Sequence, residues 1–281
     1  MYDQIDQLIA LALAEDIGPG DITATSVVPA ETTVTGILLA KQAGVLAGLD
    51  AVGRVLRTVD VRIAWEPAMA DGDELAVGAT IGRLAGPARS VLTAERTALN
   101  LLQRLSGVAT MTHLFVDAVA GTGATIVDTR KTTPGMRSLE KAAVRAGGAS
   151  NHRVGLFDGI LIKDNHLAAV GGDIDLVIRR ARAGAPHTLR VEVEIVDLAQ
   201  LEPAIAAGAD IVMLDNMDVA TMRKAVARTH GRVMLEASGG VRLDTVRAIA
   251  ETGVDLISVG ALTHSAPAID ISLELDVRPV G

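Results

Sequence analysis

The sequence predicts an α/β protein in two parts: an N-terminal α+β domain, then six or seven parallel strands forming a (β/α) barrel in preference to a doubly wound sheet. Three observations carry this. Beyond residue 124, short apolar runs alternate with helix-like stretches at a spacing that suits βαβ units. Residues 32–83 are β-like but lack that rhythm. The apolar runs of the second part end in polar residues, namely Asp128, Lys163, Glu194, Asp215, Glu236 and Ser258. A barrel gathers such residues from every strand into one mouth, whereas an open sheet concentrates them at a switch point.

Taken in order, residues 4–14 read as a helix, with Asp3 as N-cap and Ile5, Leu8, Ile9 and the three residues from Leu11 to Leu13 on its buried side. Residues 15–21 are rich in turn formers and read as a loop. Strands are expected at 33–41, 44–48, 75–77 and 80–84, with a short helix at 50–58 and a turn at Asp71-Gly72-Asp73-Glu74. Helices at 88–104 and 108–120, separated by Ser106-Gly107, carry the boundary between the two parts. The parallel strands are then expected at 124–128, 159–162, 189–195, 211–214, 233–236 and 256–259. The intervening helices fall at 137–146, 174–183, 198–207, 219–229 and 243–251. A last β-like segment, 268–275, is either a seventh barrel strand or a return to the first domain.

Bulk properties narrow the function. Twenty-six basic against 34 acidic residues give a net charge of −8, which argues against general affinity for DNA or acidic membranes. Tyr2, Trp65, Phe115 and Phe157 are the only aromatics, so the core is aliphatic and stacking platforms for single-stranded nucleic acid are excluded. The absence of Cys excludes disulfides, thiolate zinc sites and a Cys nucleophile. The acidic, amphipathic start lacks the pattern of a signal peptide, and no run reaches the roughly 18 apolar residues of a membrane span. A cytoplasmic protein is expected.

Against this acidic background the stretch 126–166 stands out. Arg130, Lys131, His152, Arg153 and Lys163 lie at or just beyond strand ends, an arrangement suited to a dicarboxylate or a phosphate. Lys163, ending an apolar strand, is also a candidate Schiff-base lysine. Glu192 and Glu194 share one strand face by period two. With Asp215 on the next strand, Glu194 suits Mg²⁺ or sugar hydroxyls, while Glu192 reads equally as a buried partner of a basic residue. Ser238-Gly239-Gly240 and Gly260-Ala261-Leu262-Thr263-His264-Ser265 follow the last two strands, where barrels often bind phosphate, and the helix expected from Leu243 adds its N-terminal end. His264 is either a phosphate ligand or a core histidine. Arg96 reads as an exposed helix residue or a partner of Glu95 or Asp117. Neither GxGxxG, the P-loop, HExxH nor GxSxG is present.

Several motifs occur together in one order: Leu92-Thr93-Ala94-Glu95-Arg96-Thr97-Ala98-Leu99-Asn100, Asp128-Thr129-Arg130-Lys131-Thr132, Asn151-His152-Arg153, Ile162-Lys163-Asp164-Asn165-His166, Val191-Glu192-Val193-Glu194, Leu214-Asp215-Asn216 and Glu236-Ala237-Ser238-Gly239-Gly240, followed by the 260–265 loop. Over nearly the whole chain this resembles the quinolinate phosphoribosyltransferase (nicotinate-nucleotide pyrophosphorylase, carboxylating) family. The resemblance implies that the barrel is incomplete, with an N-terminal domain of 1–106 plus 267–281 and a catalytic domain of 107–266. It implies a homodimer, or a hexamer built of dimers, in which Arg96 reaches the partner's barrel mouth. It implies joining of quinolinate to phosphoribosyl pyrophosphate with Mg²⁺ and no organic cofactor. Arg96, Thr129, Arg130, Lys131, His152, Arg153 and Lys163 would then hold quinolinate. Lys131, Glu194, Asp215, Ser238, Gly239, Gly240, Gly260, Ala261 and His264 would hold the phosphosugar. Lys131, Glu194 and Asp215 would be catalytic, the two acids holding Mg²⁺ through water. Ala142, Ala143 and the Ala149-Ser150 pair depart from the family pattern without touching these charges. A relative from a molybdenum-uptake setting with another aromatic acid substrate, a Lys163 aldolase and a non-catalytic sensor are the competing readings.

Overall fold

The computed structural model describes residues 2–278. In chain order the elements are α1 (Tyr2–Ile17), α2 (Ile22–Val27), β1 (Thr33–Ala40), β2 (Gly44–Val45), α3 (Leu49–Val59), β3 (Ala64–Pro67), β4 (Glu74–Leu75), β5 (Thr80–Pro87) and α4 (Ala88–Ala118). There follow β6 (Thr125–Val127), α5 (Arg137–Ala146), β7 (Ile160–Ile162), α6 (Asp164–Ala168), α7 (Ile174–Gly184), β8 (Val191–Ile195), α8 (Leu201–Ala206), β9 (Ile211–Asp215) and α9 (Val219–Thr229). The last are β10 (Met234–Ser238), α10 (Val246–Ala250), β11 (Leu256–Ser258), α11 (Ala261–His264) and β12 (Ile271–Arg278). They fall into two compact units. One holds residues up to His113, Thr132–Gly148 and everything from Leu262; the other holds Leu114–Lys131 and Ala149–Ala261.

The first unit is built on an antiparallel sheet in the order β12-β1-β5-β3. Alternation along β1 buries Val34, Leu38 and Ala40, and β1 pairs with β12 from Thr33 opposite Arg278 to Ala40 opposite Ile271. The final β-like segment therefore returns to the N-terminal sheet and adds no barrel strand. Three other expectations are corrected here. Helix α1 runs past the predicted loop start, its first turn already contains Asp3, and Leu11 is exposed while Ile9 and Leu13 are buried; at 100° per residue Leu11 faces away from that pair. Ser106-Gly107 does not break the helix, since α4 is continuous over 31 residues. Ser106 is buried, accepting from the Ala47 N–H at 3.1 Å, and a Cβ on Gly107 would stand 1.9 Å from the Pro267 carbonyl oxygen. Small residues here permit close packing, not a turn. Residues 132–148, which the sequence reading assigns to the barrel domain, cluster with the first unit.

The second unit is an incomplete (β/α) barrel. Its six parallel strands run β6-β11-β10-β9-β8-β7, leaving β6 and β7 as edges. Every residue of β8 is buried, as expected for a parallel strand covered on both faces. In register, Glu194 lies opposite Met213 and Met213 opposite Glu236, while Leu161 lies opposite Glu192. Helix α10 begins at Val246, not Leu243, and is only five residues long, so the expected helix N-terminus beside Gly239 and Gly240 is not formed there. Among the described residues no helix is long and apolar enough to cross a membrane.

Candidate active site

A cavity of about 590 Å³ opens at the carboxyl ends of the barrel strands. Eleven of the expected residues line it: Thr129, Arg130, Lys131, His152, Arg153, Lys163, Glu194, Asp215, Ser238, Gly239 and Gly240. Leu161, Met213, Asn216, Glu236 and Ser258 line it as well. Gly260 and Ala261 are not among the lining residues. Arg96, exposed on α4, and His264, whose Nδ1 lies 2.6 Å from Ser265 Oγ, belong to the first unit.

The loop after β6 is fixed by its own side chains. Thr129 Oγ1 accepts the Lys131 backbone N–H at 3.0 Å. Asp128, fully buried, accepts from Asn151 Nδ2 at 2.7 Å and from the His152 N–H at 2.8 Å. Its carboxylate thus holds both the main chain and the amide of the Asn151-His152 segment. That bond anchors the segment carrying Arg153 to the strand end carrying Arg130. The Arg153 guanidinium donates through Nη1 to the Gly159 carbonyl at 3.1 Å. Partial burial, and then the charge of Arg130, lower its pKa from the ordinary arginine value.

Lys163 and Glu194 meet directly, Nζ to Oε2 at 2.5 Å, with the lysine half-exposed and the glutamate buried. Asp215 accepts from Asn216 Nδ2 at 2.7 Å. Asn216 takes a left-handed φ of 53°, and Gly239 a φ of 90°. A Cβ on Gly239 would lie 2.2 Å from Asn216 Oδ1 and 2.9 Å from its backbone nitrogen. The loops after β9 and β10 therefore touch at a point where only glycine fits.

Below these groups lies a trio that sequence reading did not assemble. His152 Nε2 is 2.9 Å from Glu192 Oε2 and 3.6 Å from Glu236 Oε2. Burial, and then the neighbouring Glu192 charge, push Glu236 up to about 8. The signal was present in the sequence, since Glu192 shares the inward face of Glu194 and the sequence puts Glu236 at the end of an apolar run, although β10 continues to Ser238. What pattern cannot supply is the step across from residue 152 to β8.

The family model described as "Quinolinate phosphoribosyl transferase, C-terminal domain" matches residues 108–274, and that of the N-terminal domain matches 21–106. The chain belongs to the quinolinate phosphoribosyltransferase family. It is 46% identical to the nicotinate-nucleotide pyrophosphorylase [carboxylating] of Mycobacterium leprae, covering 98% of both chains. It is 44% identical to the probable nicotinate-nucleotide pyrophosphorylase [carboxylating] of Bacillus subtilis, covering 97% of this chain and 93% of that one. Among solved structures, NadC from Streptococcus pyogenes superposes with a TM-score of 0.94 at 41% identity over 99% of each chain. The overall fold is thus shared with that structure.

Proposed function

We propose that this protein transfers the phosphoribosyl group of phosphoribosyl pyrophosphate to quinolinate with loss of CO₂, giving nicotinate mononucleotide and pyrophosphate in the synthesis of NAD. The observation that carries the reading is one cavity holding two chemistries. Arg130, Lys131, Arg153 and Lys163 line it together with Glu194, Asp215, Ser238, Gly239 and Gly240. The cations, with Thr129 and His152 beside them, take the two carboxylates, and Arg96 joins them from a second copy of the chain in a homodimer or a hexamer of dimers. The glycine turn takes the 5′-phosphate, and by family resemblance Gly260, Ala261 and His264 serve the same group. The cytoplasm, where both soluble anionic substrates are available, is the location that fits.

The pyridine nitrogen's lone pair forms the bond to the anomeric carbon as the bond to pyrophosphate breaks. Positive charge grows on the ribose, and the carboxylates of Glu194 and Asp215 stabilise it. Lys131 carries part of the leaving group's charge. The product nitrogen is a pyridinium, which accepts the electron pair when the adjacent carboxylate leaves as CO₂; a proton then takes its place on the ring carbon. The donor set suits Mg²⁺, since adjacent strands supply two carboxylates and this ion keeps waters and phosphate oxygens for the rest of its shell. Held through water by Glu194 and Asp215, it would supply further neutralisation of pyrophosphate. The aldolase reading is less well supported, because Lys163 Nζ is engaged by Glu194 instead of standing open to a carbonyl.

The test is direct. Purified protein given quinolinate, phosphoribosyl pyrophosphate and Mg²⁺ is expected to release CO₂ and pyrophosphate in equal yield. Nicotinate and other aromatic acids, run in parallel, should give no CO₂-coupled turnover. Folded protein that yields neither product from quinolinate overturns the reading.

A further inference from the structure

Two carboxyls that the proposed reaction does not use lie at the cavity, Glu236 in its lining and Glu192 against His152. Glu192 is 3% exposed and Glu236 is fully buried. Glu192 Oε1 and both carboxyl oxygens of Glu236 have no hydrogen-bond partner among the described residues. What Glu192 does engage is His152, Oε2 to Nε2 at 2.9 Å. The other ring nitrogen is also committed, because the Arg153 backbone N–H donates to His152 Nδ1 at 2.7 Å. A nitrogen that accepts an N–H carries no proton, so the ring is the neutral tautomer with its proton on Nε2, directed at the carboxyls. His152 therefore adds no positive charge to the cavity. Its bonds form a path instead: Glu192 to the ring, the ring to the Arg153 main chain, and Arg153 to the substrate space.

We infer that Glu192 and Glu236 are positioning residues for the dicarboxylate half of the site: Glu192 locks the His152 ring, whose Nδ1 fixes the main chain bearing Arg153, and Glu236 completes the carboxyl pair that the ring proton faces. The inference rests on the proposed function only for its kinetic consequence. Asp128 holds the same segment from the β6 side through the His152 N–H, so the backbone at 152–153 is gripped from two strands. The raised pKa of Glu236 is consistent with this, since one uncharged member limits the buried negative charge. A divalent cation is the rival occupant, because the ligand atoms of His152, Glu192 and Glu236 lie within 4.8 Å of one another. It is disfavoured because it needs the Nε2 lone pair that holds the proton.

Ring-¹⁵N NMR of the full chain reads the tautomer without reference to activity. The parent should show His152, assigned by its loss in His152→Gln, as neutral with Nε2 protonated, and Glu192→Ala should lose that signature. In steady-state kinetics Glu192→Ala should raise KM for quinolinate at least tenfold, with KM for phosphoribosyl pyrophosphate changed less than twofold. Glu192→Gln keeps an oxygen that accepts from Nε2 and should recover most of that loss. Should the alanine variant fail to fold, the parent spectrum and the glutamine variant still decide. An imidazolium or an Nδ1-protonated ring in the parent overturns the inference. So does an equal rise in both KM values, or stoichiometric Zn²⁺ or Mn²⁺ binding that Glu236→Ala abolishes. A parent with the expected spectrum and no turnover sinks the functional reading and leaves the tautomer established.

Discussion

Single residues set the limits of this site through contacts that have no slack. Gly239 combines a left-handed φ of 90° with a Cβ position 2.2 Å from Asn216 Oδ1. Any side chain must displace the residue beside Asp215, so both halves of the phosphosugar region move. Gly239→Ala is expected to raise KM for phosphoribosyl pyrophosphate at least tenfold while KM for quinolinate changes little, and backbone strain should cost about 1–3 kcal/mol of stability. Initial-rate measurements with each substrate varied in turn check this. Glu236 supplies a second expectation. Its carboxyl moves from an ordinary 4.5 to about 8, chiefly through burial and next through Glu192. The folded state then holds more protons than the unfolded state between those values. The resulting stabilisation is full at the acid end and is lost as pH rises through the folded value, with a slope of at most about 1.4 kcal/mol per pH unit. Glu236→Gln cannot titrate, so between pH 5.5 and 8.5 its Tm should fall less than the parent's. Parallel Tm profiles would refute the shift. Much of the site was legible residue by residue, because Arg130, Lys163, Glu194 and Asp215 end or follow strands whose apolar runs are plain in the sequence. Met213 was not, since a methionine on a buried strand looks the same whether it faces core or cavity.

At the scale of elements, legibility followed period and length. The β8, β9 and β10 runs and helices α5, α7 and α9 were found nearly at their true bounds because their apolar spacing is unbroken. Strand β3, which carries Trp65, was missed: only four residues long and mostly exposed, it has no alternation to read. The α10 start was misplaced because Leu243, 41% exposed, mimics an inward position. The Ser106-Gly107 break was a misreading of close packing. Also invisible was the bond network that ties α4 to α5 within the first unit. Glu140 is fully buried on α5 and accepts from Arg104 Nη2 at 3.0 Å, from the Thr133 N–H at 3.0 Å and from Thr133 Oγ1 at 2.8 Å. Arg104 also donates to the Ala266 carbonyl at 2.7 Å and to that of Thr263. Removing the acid strands a partly buried guanidinium and two threonine donors. Glu140→Ala should therefore cost about 3 kcal/mol. Glu202→Ala, which breaks an exposed pair with Arg232, should cost no more than about 1 kcal/mol. Urea unfolding of both variants compares them, and equal losses would show that the α4 to α5 bond is not a structural anchor.

For the whole molecule the open question is whether one chain is a complete enzyme. The cavity gathers Arg130, Lys131, Arg153 and Lys163 from a single barrel unit, whereas Arg96 lies exposed on α4 in the other unit. Within the proposed function Arg96 reaches the site of a neighbouring copy, which makes a definite statement about mixtures. Arg96→Ala removes the donated group, Lys131→Ala removes a group of the receiving cavity, and each variant alone should be inactive. If donation is across the interface, a mixed dimer holds one site with both defects and one with neither. Random reassortment of equal amounts makes about half the dimers mixed, so about a quarter of the parental activity should return. If Arg96 serves its own chain, every site in the mixture carries one defect and nothing returns. Denaturing and refolding the variants together, with separately refolded samples combined afterwards as the control, distinguishes the two. Recovery in the co-refolded sample alone would mean that the smallest active form is a pair of chains, and that the basic cluster of 126–166 is completed only on assembly.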